Sequence, residues 1–151
     1  MAKIAIVTYS GLGNILHITP CIKALKSMGY EVHLFTWERS APILKGWKLL
    51  DGLHIDKMQS IGLEQIKNKD TFDYLFIPAV GGVATQELIQ RSKNIERQSI
   101  KVWGKHESEY MMDFAYKLGY KGEMPKAHVQ INQCNIDNAK NILKSIGLCD
   151  E

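Results

Sequence analysis

The sequence predicts an α/β fold in three layers: a mostly parallel sheet with helices on both faces. Three observations carry this. Short apolar runs of strand length alternate with segments of helical period along the whole chain. The strongest runs, residues 4–9 and 72–78, are nearly continuous in apolar residues, as in strands buried on both faces. Each run leads into a helix rather than a two-residue turn, so the crossovers are right-handed and the strands parallel. At 151 residues the chain has the length of one domain and no internal repeat.

Ile4-Ala5-Ile6-Val7-Thr8-Tyr9 is strand one, placed at the centre of the sheet, and it ends in the turn-forming Ser10-Gly11-Leu12-Gly13-Asn14. A helix follows, with Ile22, Leu25 and Met28 on one face, Lys23 and Lys26 on the other, and Gly29 as its stop. Residues 31–37 form strand two and residues 53–58 a short strand three, before a helical stretch over 63–69. Residues 72–78 are strand four, ended by Ala79-Val80-Gly81-Gly82. Residues 87–91 are helical and 99–103 are read as the next strand. Met111, Phe114 and Leu118 share one face of a helix over 106–118, capped by Gly119. A last short strand is read at 129–131 and a final helix at 136–146.

Composition narrows the function. The net charge of +3 is mild and the basic residues are dispersed, with one modest cluster at Arg91, Lys93, Arg97 and Lys101. A nucleic-acid binder carries a denser stripe, so no nucleic-acid partner is expected. Three cysteines, Cys21, Cys134 and Cys149, have no C-x-x-C spacing, which fits a reducing compartment. The start of the chain has no signal-peptide pattern, and no stretch approaches the ~20 apolar residues of a membrane span. The expected location is cytoplasmic. No metal site is expected, since no D-x-D motif occurs and no histidines pair at i, i+4.

In open α/β sheets, ligands bind beyond the carboxyl ends of the strands. The loops there are residues 10–19, 37–42 and 78–84. Gly11-Leu12-Gly13 after a strand, with Glu38 near the place of a ribose acid, matches part of a dinucleotide fingerprint. The third glycine is replaced by Leu16, and Pro20 falls where the second turn of a nucleotide-binding helix runs, at the cost of a hydrogen bond. A tight strand-to-helix turn without a ligand is the better reading of the same glycines.

The longer string Gly11-Leu12-Gly13-Asn14-Ile15-Leu16-His17-Ile18-Thr19-Pro20, followed by Ile22-Lys23-Ala24-Leu25-Lys26, resembles the opening of the family 9 glycosyltransferases, the ADP-heptose:lipopolysaccharide heptosyltransferase family. Their pattern is G-[ILM]-G-D-x-[LI]-x-x-T-P and a helix reading A-[LI]-[RK]-A-L-K. Further segments are similar and collinear: residues 37–44, Leu49-Leu50-Asp51-Gly52-Leu53, Phe72-Asp73-Tyr74, and Lys105-His106-Glu107-Ser108-Glu109-Tyr110 against the family's H-E-x-E-R. The resemblance covers residues 3 to about 125.

The resemblance implies a single Rossmann-like acceptor-side domain over 1–151, the N-terminal half of a GT-B architecture. A second Rossmann-like domain or subunit would hold a sugar nucleotide of the ADP-heptose type, and this chain itself would hold no cofactor. The implied partner is a glycan or glycolipid acceptor such as lipopolysaccharide, with peripheral contact at the inner membrane surface. The implied acceptor contacts are Gly11, Gly13, Thr19, Glu38, Arg39, His106 and Glu107.

Inverting transfer needs a base for the proton of the acceptor hydroxyl, and a carboxylate suits this. The family's Asp stands after the second glycine; here that position is Asn14. A neutral amide orients a hydroxyl but does not take its proton. His17, one turn further along, is the first substitute, against a plain packing role. Arg39 suits the phosphate or carboxylate of an anionic acceptor, or is a solvated loop arginine. Glu107 heads a helix, where the macrodipole alone favours it, and Tyr110 stands where the family has Arg. Trp37, Trp47 and Trp103 offer faces for a sugar, though core packing is their default. The other class of function is a non-catalytic Rossmann-like binding module, and a nucleotide-dependent oxidoreductase stays open behind it.

Overall fold

The computed structural model describes residues 1–98, 104–131 and 133–145. Its elements are β1 (Lys3–Thr8), α1 (Leu12–Ser27), β2 (Glu31–Trp37), a 3-10 turn (Ala41–Ile43), β3 (Gly52–Asp56), α2 (Leu63–Lys67), β4 (Phe72–Ile77), α3 (Gln86–Gln90), β5 (Ser92–Arg97), α4 (Glu107–Lys117) and α5 (Gln133–Ser145). The sheet has five strands in the order β3-β2-β1-β4-β5, and every neighbouring pair is parallel. β1 is central. This is a Rossmann-like α/β fold.

The alternation of side chains along β1 builds the layers. Ile4 and Ile6 join one core with Ile15, Ile18, Ile22 and Leu25 of α1 and with Met111, Phe114 and Ala115 of α4. Ala5 and Val7 point to the other face, among Phe35, Leu75, Ile77 and Leu88 of α3. Both faces are covered, so β1 carries no polar side chain between Ile4 and Val7.

α1 runs through Pro20 without ending. A proline inside a helix leaves the carbonyl four residues earlier without its donor. Here Thr19 Oγ1 donates to that carbonyl, on Leu16, at 2.8 Å. The same hydroxyl accepts from the backbone N–H of His128 at 2.9 Å, which anchors the segment after α4 across α1.

One strand was not expected, and one expected strand is not formed. The fifth strand lies at Ser92–Arg97, where Lys93, Asn94 and Glu96 break any apolar run. It is an edge strand, and charged residues protect such edges. Lys93 and Arg97 of the modest basic cluster sit on it, Lys93 bound to Asp73 at 2.6 Å. The strand expected at 99–103 lies outside the described residues. Residues 129–131 form no strand: Gln130 N–H donates to the Ile43 carbonyl at 2.7 Å, a single tie to a 3-10 turn. α5 buries none of its described residues. Among the described residues, no helix is long and apolar enough to cross a membrane.

Candidate functional site

The loops leaving β1, β2 and β4 meet at the carboxyl edge of the sheet and are tied to one another. Thr36 Oγ1 donates to the Thr8 carbonyl at 2.9 Å, and Ser40 Oγ to the Ser10 carbonyl at 2.7 Å. Tyr9 N–H donates to the Gly81 carbonyl. Gly81 has φ +71°, and a Cβ on it would lie 2.5 Å from the Ser10 Cβ. A Cβ on Gly82 would lie 2.2 Å from the Pro78 carbonyl oxygen. Gly81 lets the β4 loop close on the β1 loop, and Gly82 lets that loop fold back on Pro78.

Gly11 and Gly13 are different. Gly11 is the N-cap of α1 and Gly13 lies in its first turn. A Cβ on either would meet nothing within 4 Å, and neither has a positive φ. The fold therefore has no steric need for glycine at these positions, although glycine inside a helix costs about 1 kcal/mol relative to alanine. The first turn of α1 also has no side-chain cap and no acidic residue. Gly11, Leu12 and Gly13 are exposed and Asn14 is half-buried, so this turn is the solvent-facing mouth of the candidate site.

Below this mouth, α1 meets the start of α4. His17 Nδ1 lies 3.0 Å from Ser108 Oγ, and His17 Nε2 lies 3.5 Å from Glu107 Oε2. The His106 ring stands edge-on to His17 at 4.9 Å between centroids. His106 is the N-cap of α4: its Nδ1 accepts from Ser108 N–H, and its own N–H donates to Glu109 in a capping box. That cap fixes the first turn of α4, and with it Glu107 and Ser108. Glu107 also borders a small cleft with Ala79, Val80, Gln98, Tyr110 and Met111, which places it beside the β4 loop.

On the β2 side, Glu38 and Arg39 are exposed. Glu38 N–H donates to the Asp56 carbonyl at 2.8 Å, and the Arg39 guanidinium lies 4.3 Å over the Trp37 ring. Beneath them is a buried polar network. Tyr9 OH donates to Asp56, and Gln65 Nε2 donates to Tyr9 OH at 2.8 Å. Asp56 also accepts from the N–H groups of Gly62 and Glu64 at 3.1 and 2.6 Å. Burial, with Asp56 alongside, pushes the Tyr9 phenol far above the usual tyrosine range. It is a fixed strut rather than a proton donor to a ligand.

The fold thus brings His17, His106 and Glu107 together, although 89 and 90 positions of chain separate His17 from His106 and Glu107 and no local pattern links them. By strand order, the β2 loop with Arg39 flanks β1 on one side and the β4 loop on the other. Thr19 is not at the mouth: it is fully buried, and its hydroxyl is used inside the fold. Trp47 is buried and stacks on His128 at 4.8 Å, a packing role; Trp103 lies outside the described residues. Ser108 and Asp56 were not singled out from the sequence. Asp56 had a legible signal, a carboxylate at the carboxyl end of a strand; Ser108 had none.

No protein-family model and no curated protein matches the sequence. Solved structures do match. The crystal structure of the glycosyl transferase family 9 protein from Veillonella parvula DSM 2008 superposes with a TM-score of 0.74 at 15% identity, over 98% of this chain and 51% of that one. This chain has the fold of one half of a family 9 glycosyltransferase. The E. coli heptosyltransferase WaaC with ADP matches with a TM-score of 0.59 at 12% identity, over 83% of this chain and 50% of that one. E. coli ADP-heptose LPS heptosyltransferase II matches with a TM-score of 0.58 at 10% identity, over 99% and 52%. The chain spans about half the length of these glycosyltransferases. The likeness runs the length of the chain at low identity, so it rests on the order and packing of the elements.

Proposed function

We propose that this chain is the acceptor-binding half of an inverting glycosyltransferase, one that moves heptose or a hexose from a sugar nucleotide to lipopolysaccharide or a related surface glycan. The donor would be held by a second α/β unit, the part of the similar structures that this chain does not span. The observation that carries the reading is the open mouth at Gly11–Asn14. Two glycines stand where the fold does not need them, at the end of the central strand, with the His17–Glu107 cluster on one flank and Arg39 on the other. Close approach of a ligand explains glycines that packing does not. Arg39, braced on Trp37, suits an anionic group of the acceptor. Work at the cytoplasmic face of the inner membrane follows for a glycolipid acceptor.

Asn14 favours a second reading, a non-catalytic binding module that keeps the acceptor site. Both predict acceptor binding here. The test is a titration of the 15N-labelled protein with a lipopolysaccharide core oligosaccharide. Amide resonances of Gly11–Asn14 and ring resonances of His17 and His106 should move together. Shifts confined to other surfaces would remove this placement of the site.

A further inference from the structure

Residues 55–67 turn five large apolar side chains towards solvent: Ile55, Met58, Ile61, Leu63 and Ile66. Met58, Leu63 and Ile66 are 62%, 50% and 52% exposed. Ile55 and Leu63 line one groove of about 270 Å³ together with Lys57 and Lys67. Ile66 follows Leu63 by three residues on α2, so the two adjoin. An exposed apolar patch with a polar rim marks a contact site.

The fold holds this segment out in water. Ser60 N–H donates to the Lys57 carbonyl and Leu63 N–H to the Ser60 carbonyl, two successive turns. Asp56, buried at the end of β3, accepts from the N–H groups of Gly62 and Glu64. Gly62 takes φ +96°, and a Cβ on it would lie 2.5 Å from Thr85 Cγ2. Met58 and Ile61 therefore stand on a loop pinned at both ends, not on a loose one.

Charge decides what covers the patch. The exposed charged side chains of residues 55–67 are Lys57 and Lys67, and neither enters an ion pair among the described residues. The two acids of the segment are withdrawn: Asp56 is buried, and the half-buried Glu64 faces His54 Nδ1 at 3.8 Å. Protein interfaces are depleted in lysine. An anionic lipid surface suits the mixture: apolar tips enter the acyl boundary, lysine stems lie along it, and the ammonium groups stay among the headgroups. Position agrees. Residues 57–61 leave the carboxyl end of β3 and residues 10–14 that of β1, and the strands are parallel, so both loops lie on one edge of the sheet. The hydrogen bond from Tyr9 to Asp56 ties the two strand ends together.

We propose that the surface of residues 55–67 is a docking site for an anionic lipid bilayer. Met58, Ile61, Leu63 and Ile66 enter the headgroup boundary, and Lys57 and Lys67 meet the anionic headgroups. Docking there needs no sugar, so it stands or falls apart from the acceptor reading. Where both hold, docking brings the mouth at residues 11–14 to the membrane that carries a glycolipid acceptor.

The test is sedimentation of the 151-residue protein with vesicles of equal parts phosphatidylglycerol and phosphatidylcholine, and with vesicles of phosphatidylcholine alone. The protein should bind the anionic vesicles, less tightly as salt rises, and the neutral ones far less. Lys57→Gln and Lys67→Gln should each weaken binding about fivefold. Met58→Ser combined with Ile66→Ser should weaken it on the order of tenfold or more. All four side chains are exposed, so the variants should keep the urea midpoint of the unaltered chain. Lipids carrying a nitroxide on the headgroup should broaden the amide resonances of residues 57–67 ahead of those of the equally exposed α5. No binding to the anionic vesicles, binding that all four substitutions leave unchanged, or broadening centred elsewhere overturns the assignment. A dimer that Met58→Ser with Ile66→Ser splits, without vesicle binding, gives the patch to a second copy and overturns it too. Vesicle binding by the chain that is lost in the complete enzyme, chain plus donor-binding unit, gives the patch to that unit and overturns it as well.

Discussion

Thr19 closes the gap that Pro20 opens. Its hydroxyl donates to the Leu16 carbonyl at 2.8 Å, the acceptor that a proline at position 20 cannot serve, and it accepts from His128 N–H as well. Thr19→Val keeps the shape and removes both bonds in a fully buried place. It should cost about 1–3 kcal/mol, the penalty for stranding buried polar groups. Thr19→Ser should cost far less. Urea denaturation of the two variants checks this; equal losses would mean that the hydroxyl is not what holds the helix there.

Gly13→Ala should separate stability from function. Outside its own turn of helix and its chain neighbours, nothing lies within 4 Å of the added Cβ, and alanine is the better helix former. The variant should be more stable by up to about 1 kcal/mol and bind acceptor more weakly. Melting and acceptor titration on the same preparation report both. A variant that gains stability and keeps full acceptor binding would show that the open glycines serve no ligand.

Gly82→Ala should do the reverse. Its Cβ would fall 2.2 Å from a backbone oxygen, and backbone cannot move aside as a flexible side chain can. We expect a loss of about 1–3 kcal/mol, as for other forced overpacking, seen by urea denaturation. A neutral result would mean that the β4 loop adapts around Pro78 without cost.

Acid should weaken the fold in two steps. His54 lies flat on Phe35 and 2.9 Å from His33. Burial first, and then the charge of His33, hold its pKa below the ordinary 6.5. The unfolded chain therefore takes up a proton more readily, so the stability is present above pH 6.5 and declines as pH falls below it. Glu31 is shifted below its ordinary 4.5, chiefly by the hydrogen bond from His33 and also by Lys3, so its contribution is lost further down. Urea midpoints between pH 8 and 4 should fall on acidification. His54→Gln should flatten the upper step; an unchanged upper step would place its cause elsewhere.

The legible parts of this protein were those with strong local periods. β1 and β4 are continuous apolar runs, and α4 carries Met111 and Phe114 on one face, so their positions in the chain matched closely. β5 was missed because an edge strand needs only alternate partial burial, and Lys93, Asn94 and Glu96 hide it. Pro20 read as a local cost because the compensating hydroxyl of Thr19 is visible only once the helix is built. His17 and Glu107 could each be named from the sequence. Their contact, and the part of Ser108 in it, arise from the packing of α1 on α4, which no local pattern encodes.

The central claim, that this half binds the acceptor and leaves the donor nucleotide to another unit, is tested most directly by paired calorimetry on the 151-residue chain. A lipopolysaccharide core oligosaccharide is titrated in one cell, and ADP, UDP and NAD in others. The oligosaccharide should bind saturably, with binding weakened or abolished by Arg39→Ala, and no nucleotide should bind tighter than about millimolar, roughly −4 kcal/mol. Micromolar binding of a nucleotide, with no heat from the oligosaccharide, would contradict it and turn the Gly11–Gly13 loop into a nucleotide site.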